Sequence, residues 1–205
     1  MIKHLFLIWG LLAALTAEPV LACTSAVVSG KVTPDGRPLL WKNRDTDFMR
    51  NHVDYVKGER YDFIAVVNSA NAYLKEAWMG TNSAGFALMN TQSYNLVDVK
   101  GDEERGAANG RVIYRALEVC ATVEDFCHFL DTISKPSDIE ANFGVIDAQG
   151  GAAMFEVDYY KYVMYDANNP KDAPYGYIAR TNFSFAGKVN EGAGYVRYME
   201  ADQVL

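Results

Sequence analysis

Residues 141–167 read ANFGVIDAQGGAAMFEVDYYKYVMYDA. Apolar residues alternate with others on both sides of DAQGG, a turn signal, so the segment predicts a β-hairpin with a third strand behind it. An alternating strand buries one face only, and a chain built on hairpins must supply a second layer to cover it. The same pattern recurs upstream. CTSAVVSGKVTPDGRPLLWKNRD, residues 23–45, alternates Ser25, Val27 and Ser29 against Ala26 and Val28, turns at TPDG, and returns as RPLLWKN. YDFIAVVNS, EAWMGTNSAGFALMNTQSY with its turn TNSAG, and YGYIARTNFS add further strands. Two segments break the period. RVIYRALEVC places Val112, Ile113, Ala116, Leu117 and Cys120 on one helical face. VEDFCHFLDTI follows a Thr122 cap, with Glu124 and Asp125 in its first turn. GYVRYMEADQVL reads as the start of a third helix, while MRNHVD around His52 reads as a polar connection. The order is strands, two helices, then strands, which gives an α+β class with helices layered on antiparallel sheet.

The hairpin of residues 23–45 has a chemical consequence. The end of its second strand returns to the start of its first, so Lys42 to Asp47 come close to Cys23.

The chain has 205 residues, half of them hydrophobic and 13% aromatic, enough for one domain with a sizeable core. A net charge of −7 without a basic cluster argues against a nucleic-acid partner. The first 22 residues, MIKHLFLIWGLLAALTAEPVLA, carry Lys3 and His4, then an apolar run from Leu5 to Ala17, then Val20 and Ala22 at −3 and −1 before Cys23. This pattern predicts a signal peptide, residues 1–22, and a periplasmic or secreted domain over 23–205 that begins with Cys23. The apolar run is too short for a good membrane span.

Three cysteines are present: Cys23, Cys120 and Cys127. The last two lie on adjacent predicted helices, where they either bridge or serve as small core residues. Cys23 is then the thiol that needs an explanation. As an N-terminal residue it carries its own base, because a free α-amine has a pKa of about 7.7–8.0 and sits a few bonds from the sulfur. Such a centre needs only a carboxylate to orient the amine, neutral amide donors for an oxyanion and a cation near the sulfur. The histidines leave one alternative, a cysteine–histidine pair with His52, which no pattern supports. Beyond the leader only His52 and His128 remain, neither with a partner pattern. No spacing suggests zinc and no loop cradles phosphate, so no metal or cofactor is expected.

At these residues the sequence resembles the linear-amide branch of the Ntn hydrolases. That branch contains choloylglycine (bile salt) hydrolases, penicillin V acylases and acyl-coenzyme A:6-aminopenicillanic-acid acyltransferases, and the chain is most similar to the last group. The resemblance opens with CTSAVVSGKVTPDGRPLLWKNRD. It continues through WMGTNSAGFALMN, NFGVIDAQGGAAMFEV, ARTNF and GYVRYME, in the order the family has them. It implies an αββα sandwich, or the N-terminal part of one. It also implies cleavage of a linear amide C–N bond, peptide-like or not, through a thioester on Cys23, by a hydrolase or a related acyltransferase. By the same resemblance Asp45 of KNRD matches the carboxylate that holds the amine. Asn90 and Asn182 match the two oxyanion-side asparagines. Arg197 matches the arginine near the thiolate.

The chain departs from the pattern in two ways. Lys42 stands where bile salt hydrolases carry arginine; reading Arg44 and Asp47 as the pair restores the arginine, but Asn43 beside Lys42 favours the frame with Asp45. Family members also continue well past the position of Leu205, so the chain is expected to be a fragment or a shortened product. One rival reading of Cys23 stands apart. VLAC resembles a lipobox, which would make the protein a lipid-anchored binding protein with a blocked amine. Leu21 fits that motif poorly, and no polar tether follows the cysteine. The expected partner is a small-molecule amide, with no nucleic acid, no membrane unless Cys23 is lipidated, and homo-oligomerisation left open.

Overall fold

The computed structural model describes residues 23–97 and 106–205. The predicted leader, residues 1–22, lies outside the described residues.

Among the described residues ten strands and three α-helices follow one another: β1 (Thr24–Val28), β2 (Leu39–Asn43), β3 (Asn51–Val56), β4 (Phe63–Asn68), β5 (Met79–Asn82), β6 (Ala87–Gln92), α1 (Asn109–Val119), α2 (Val123–Thr132), β7 (Ala141–Ile146), β8 (Ala152–Val157), β9 (Tyr162–Asp166), β10 (Tyr177–Arg180) and α3 (Tyr195–Val204). All pairings are antiparallel. Strands β3 to β9 form one seven-stranded sheet in sequence order, and β10-β1-β2 form a second, three-stranded sheet. The predicted turns are present. Gly36 N–H donates to Thr33 C=O in TPDG, Gly85 N–H to Asn82 C=O in TNSAG, and Gly150 N–H to Asp147 C=O in DAQGG. The polar reading of MRNHVD is corrected: Asn51–Val56 is strand β3, paired along its length with β4. It is the edge strand of its sheet and leaves Val53 and Tyr55 exposed, which is why no burial pattern marks it.

The seven-stranded sheet has two different faces. One packs on α1 and α2, with Phe63, Leu88, Phe143, Val145 and Phe155 meeting Ile113, Leu117, Phe126 and Leu130. Phe126 is the hub, with ring contacts to Phe86, Phe129, Phe143 and Phe155. The second helix is capped as its sequence requires. Thr122 accepts from the Asp125 N–H, and the Asp125 carboxylate accepts from the Thr122 N–H.

The opposite face meets the three-stranded sheet, through Val27 and Ile178 against Met89, Ala152 and Met154. Gly144 permits the approach, since a Cβ there would sit 2.5 Å from Met89 Cε and 2.9 Å from a Val27 methyl. α3 covers the outer face of β1 and β10, where the Tyr177 hydroxyl reaches Asp202 and Phe183 stacks on Tyr195 at 4.1 Å. The layers therefore run helix, sheet, sheet, helix, an α+β arrangement of the αββα kind. The fourth layer is a single helix without a buried residue.

Candidate active site

β1 begins one residue after Cys23, and its register sets what surrounds the sulfur. Thr24 lies opposite Asn43, and Ser25 lies between Lys42 on β2 and Arg180 on β10. Cys23 therefore projects past the end of the small sheet, beside residues 44–45 and residues 181–182. The large sheet leaves room there. β5 makes its last pairing with β6 at Met79 and Met89, whereas Asn90, Thr91 and Gln92 continue paired with β7 alone. A cleft of about 240 Å³ occupies the gap, and its lining brings together Cys23, Lys42, Asp45, Trp78, Asn90 and Asn182.

Cys23 is half-buried and unbridged, and its Sγ–H points to the Asp45 carbonyl at 3.6 Å. Asp45 lines the cleft; Asp47 is not among its lining residues. Asn90 is buried on β6. Its Oδ1 accepts from Lys42 Nζ at 3.1 Å, and its Nδ2 has no partner among the described residues. Lysine donates and cannot accept, so this bond fixes which end of the Asn90 amide remains a donor.

Asn182 is held as firmly. Its Nδ2 donates to Gln92 C=O at 2.8 Å, and its Oδ1 accepts from Arg197 Nη2 at 2.9 Å. Arg197 stands behind the cysteine rather than on the sulfur: Nη1 donates to the Cys23 carbonyl and to Thr24 Oγ1. Gly194 opens α3 in the left-handed region at φ +89, and a Cβ there would collide with the Arg197 guanidinium. All five residues singled out from the sequence thus converge, with Arg197 acting on the backbone of Cys23.

Lys42 stands out in the sequence only as a departure from an arginine. Its Nζ donates to the Trp78 carbonyl at 2.8 Å as well as to Asn90. Burial pulls its pKa down to about 8; the Cys23 sulfur opposes the shift and Arg44 adds to it. Burial likewise lowers the pKa of Arg197, against the attraction of Cys23 and Asp45. The sequence signal that marks Lys42 is its register, two residues past Leu40, which points into the intersheet core. Trp78 and Gln92 carry no such signal. His52 instead bonds Ser69, and His128 is exposed on α2. Cys120 is buried in the helix-side core and Cys127 is half-buried; both are free thiols, so the bridge left open by the sequence is absent.

A buried polar layer places the segment 181–186. Thr91 Oγ1 donates to Thr181 C=O at 2.7 Å, and Asn142 Nδ2 reaches the carbonyls of Thr181 and Phe183. Glu156 accepts from Arg180 Nε at 2.6 Å and from the N–H groups of Phe185 and Ala186.

Residues 32–197 match the family described as acyl-coenzyme A:6-aminopenicillanic acid acyl-transferase. The chain belongs to this family. Among curated proteins, none matches. Among solved structures, the chain is similar to a Caenorhabditis elegans N-acylethanolamine-hydrolyzing acid amidase ortholog, at 16% identity and TM-score 0.63, over 89% of this chain and 78% of that one. It is also matched to a mutant of conjugated bile acid hydrolase from Clostridium perfringens, at 15% identity and TM-score 0.49, over 71% of this chain and 51% of that one. The chain thus spans about half the length of the bile acid hydrolase. The nematode likeness establishes a shared α+β fold.

Proposed function

We propose that the protein is an exported N-terminal-cysteine amidohydrolase, or the related acyltransferase, acting on a linear amide. Removal of residues 1–22 would make Cys23 the first residue and free its amine. The observation that carries the reading is Asn90: a buried amide, oriented by Lys42, keeps an unpartnered Nδ2–H in the cleft that Cys23 opens. Such a donor is what a developing oxyanion requires.

In this mechanism the α-amine takes the thiol proton and Asp45 holds the resulting ammonium. The sulfur attacks the carbonyl carbon, and its oxygen gathers negative charge toward Asn90 and Asn182. Collapse breaks the C–N bond while the ammonium returns its proton to the leaving amine. Water then cleaves the thioester, or a second amine does so in a transferase. Arg197 keeps the Cys23 carbonyl and Asn182 in fixed relation throughout.

The test has two parts. Sequencing and intact mass of the exported protein should find an unmodified Cys23 terminus; another terminus, or acylation of the sulfur as in a lipoprotein, removes the base and overturns the reading. Cys23→Ala should abolish amide turnover and acyl-enzyme formation with the fold unchanged. Turnover at the parent rate in that variant would equally overturn it.

A further inference from the structure

Arg44 follows directly on β2 and lines the cleft, with its guanidinium carbon 5.2 Å from the centroid of the Trp78 ring. It donates to neutral oxygens, Nη1 to Asn51 Oδ1 and Nη2 to Asn68 Oδ1 at 2.8 Å. Among the described residues no carboxylate forms an ion pair with it. A guanidinium has five N–H donors, so the group retains donor capacity after these bonds. Lys42 also donates to neutral acceptors, and among the described residues Asp45 is the only carboxylate in the lining. The cleft is therefore cationic in a chain whose net charge is −7. Trp78, whose ring Arg44 faces, has a fully buried Nε1–H without a partner among the described residues. Burial of this half-buried cation lowers its pKa, against the attraction of the Cys23 sulfur.

We propose that Arg44 is a specificity residue that recognises an acid group, carboxylate or sulfonate, on the amide substrate. Anionic amides are thereby selected over neutral ones of the same length. The inference rests on the amidohydrolase reading above. The acid can lie on either side of the scissile bond, on the leaving amine or at the far end of the acyl group. In both cases it faces the guanidinium beside the Trp78 ring, where a charge-assisted hydrogen bond in a partly dry cleft is strong. Arg44 remains when the sulfur has been acylated, so its contribution appears in substrate capture.

Three probes of matched length decide it, assayed on the mature full chain: an N-acylglycine, the corresponding N-acylethanolamine, and the monoamide of a dicarboxylic acid. The parent enzyme should prefer one acid over the neutral probe by roughly 10- to 100-fold in kcat/KM, carried mainly by KM. The preferred acid assigns the side. Arg44→Met should erase the preference, and Arg44→Lys should keep part of it. Equal rates on acid and neutral probes, or a preference that survives Arg44→Met, overturn the proposal. So does a uniform slowing of all probes in Arg44→Met together with a displaced pH midpoint for alkylation of Cys23, because the arginine would then serve the sulfur. If no amide is cleaved at all, the amidohydrolase reading fails by itself. Selectivity is then read by calorimetric binding of the same probes to Cys23→Ala with and without Arg44→Met. Tighter binding of an acid that vanishes with Arg44 upholds the proposal, and equal binding overturns it.

Discussion

The two faces of the seven-stranded sheet do different work. The helix-side face is closed by an apolar seal in which Phe126 touches four other phenylalanine rings. The other face is apolar only in its middle, around Met89 and Met154, and becomes polar at one end through Thr91, Asn142 and Glu156. Burying those groups contributes little net stability, since each exchanges water for a protein partner. What they provide is direction. Each hydrogen bond fixes a particular carbonyl or N–H of residues 181–186, and those residues carry Asn182 to the cleft. The apolar face holds the sheet together, and the polar end of the other face decides where Asn182 stands.

That contrast is tested most severely by Phe126→Ala. Emptying the hub should destabilise the protein by about 3–5 kcal/mol. Kinetic constants measured well below the melting transition should stay near those of the parent; a large loss of kcat there would mean that the two faces are not independent. Glu156→Ala should also cost about 3–5 kcal/mol, because it leaves Arg180 as an uncompensated buried charge. Unlike Phe126→Ala it should lower kcat as well, since the N–H groups of Phe185 and Ala186 lose their acceptor. Chemical denaturation and steady-state kinetics on the two variants separate the faces directly.

Asn90→Ala should reduce kcat by about 10²–10³-fold with a small change in stability, the magnitude of a lost oxyanion donor. A loss of similar size in KM alone would make Asn90 a binding group instead. The smallest effect concerns Lys42. Its ammonium loses its proton as pH rises through about 8, so kcat/KM should fall on that side of the profile. Lys42→Arg should carry the fall to higher pH, because a guanidinium keeps its charge. Stability has the opposite sign. The folded pKa lies below the ordinary 10.5, the unfolded chain binds the proton more tightly, and stability should therefore rise between about pH 8 and 10.5. Lys42→Met should flatten that slope in pH-dependent denaturation.

Much of the candidate site was legible in order along the chain. Cys23, Asp45, Asn90, Asn182 and Arg197 each sit in a short motif, and the hairpin register alone brings two of them together. Lys42 was legible as a residue but not as a role, because its importance lies in orienting the Asn90 amide across the gap beyond β5. Asn142 and Glu156 gave no signal at all. A polar residue on a strand reads as solvent-facing unless something shows that a second sheet covers it.

Local propensity and alternation determine the strands, the turns at TPDG, TNSAG and DAQGG, and the helices α1 and α2, because each depends on neighbours within a few residues. The stacking of the two sheets is decided only in three dimensions, where Gly144 admits Val27 and Met89 fills beside it. The cleft follows from that stacking. It exists because β5 stops pairing at Met79 while β6 runs on to Gln92, and a gap between strands is a property of pairing partners that no single segment contains.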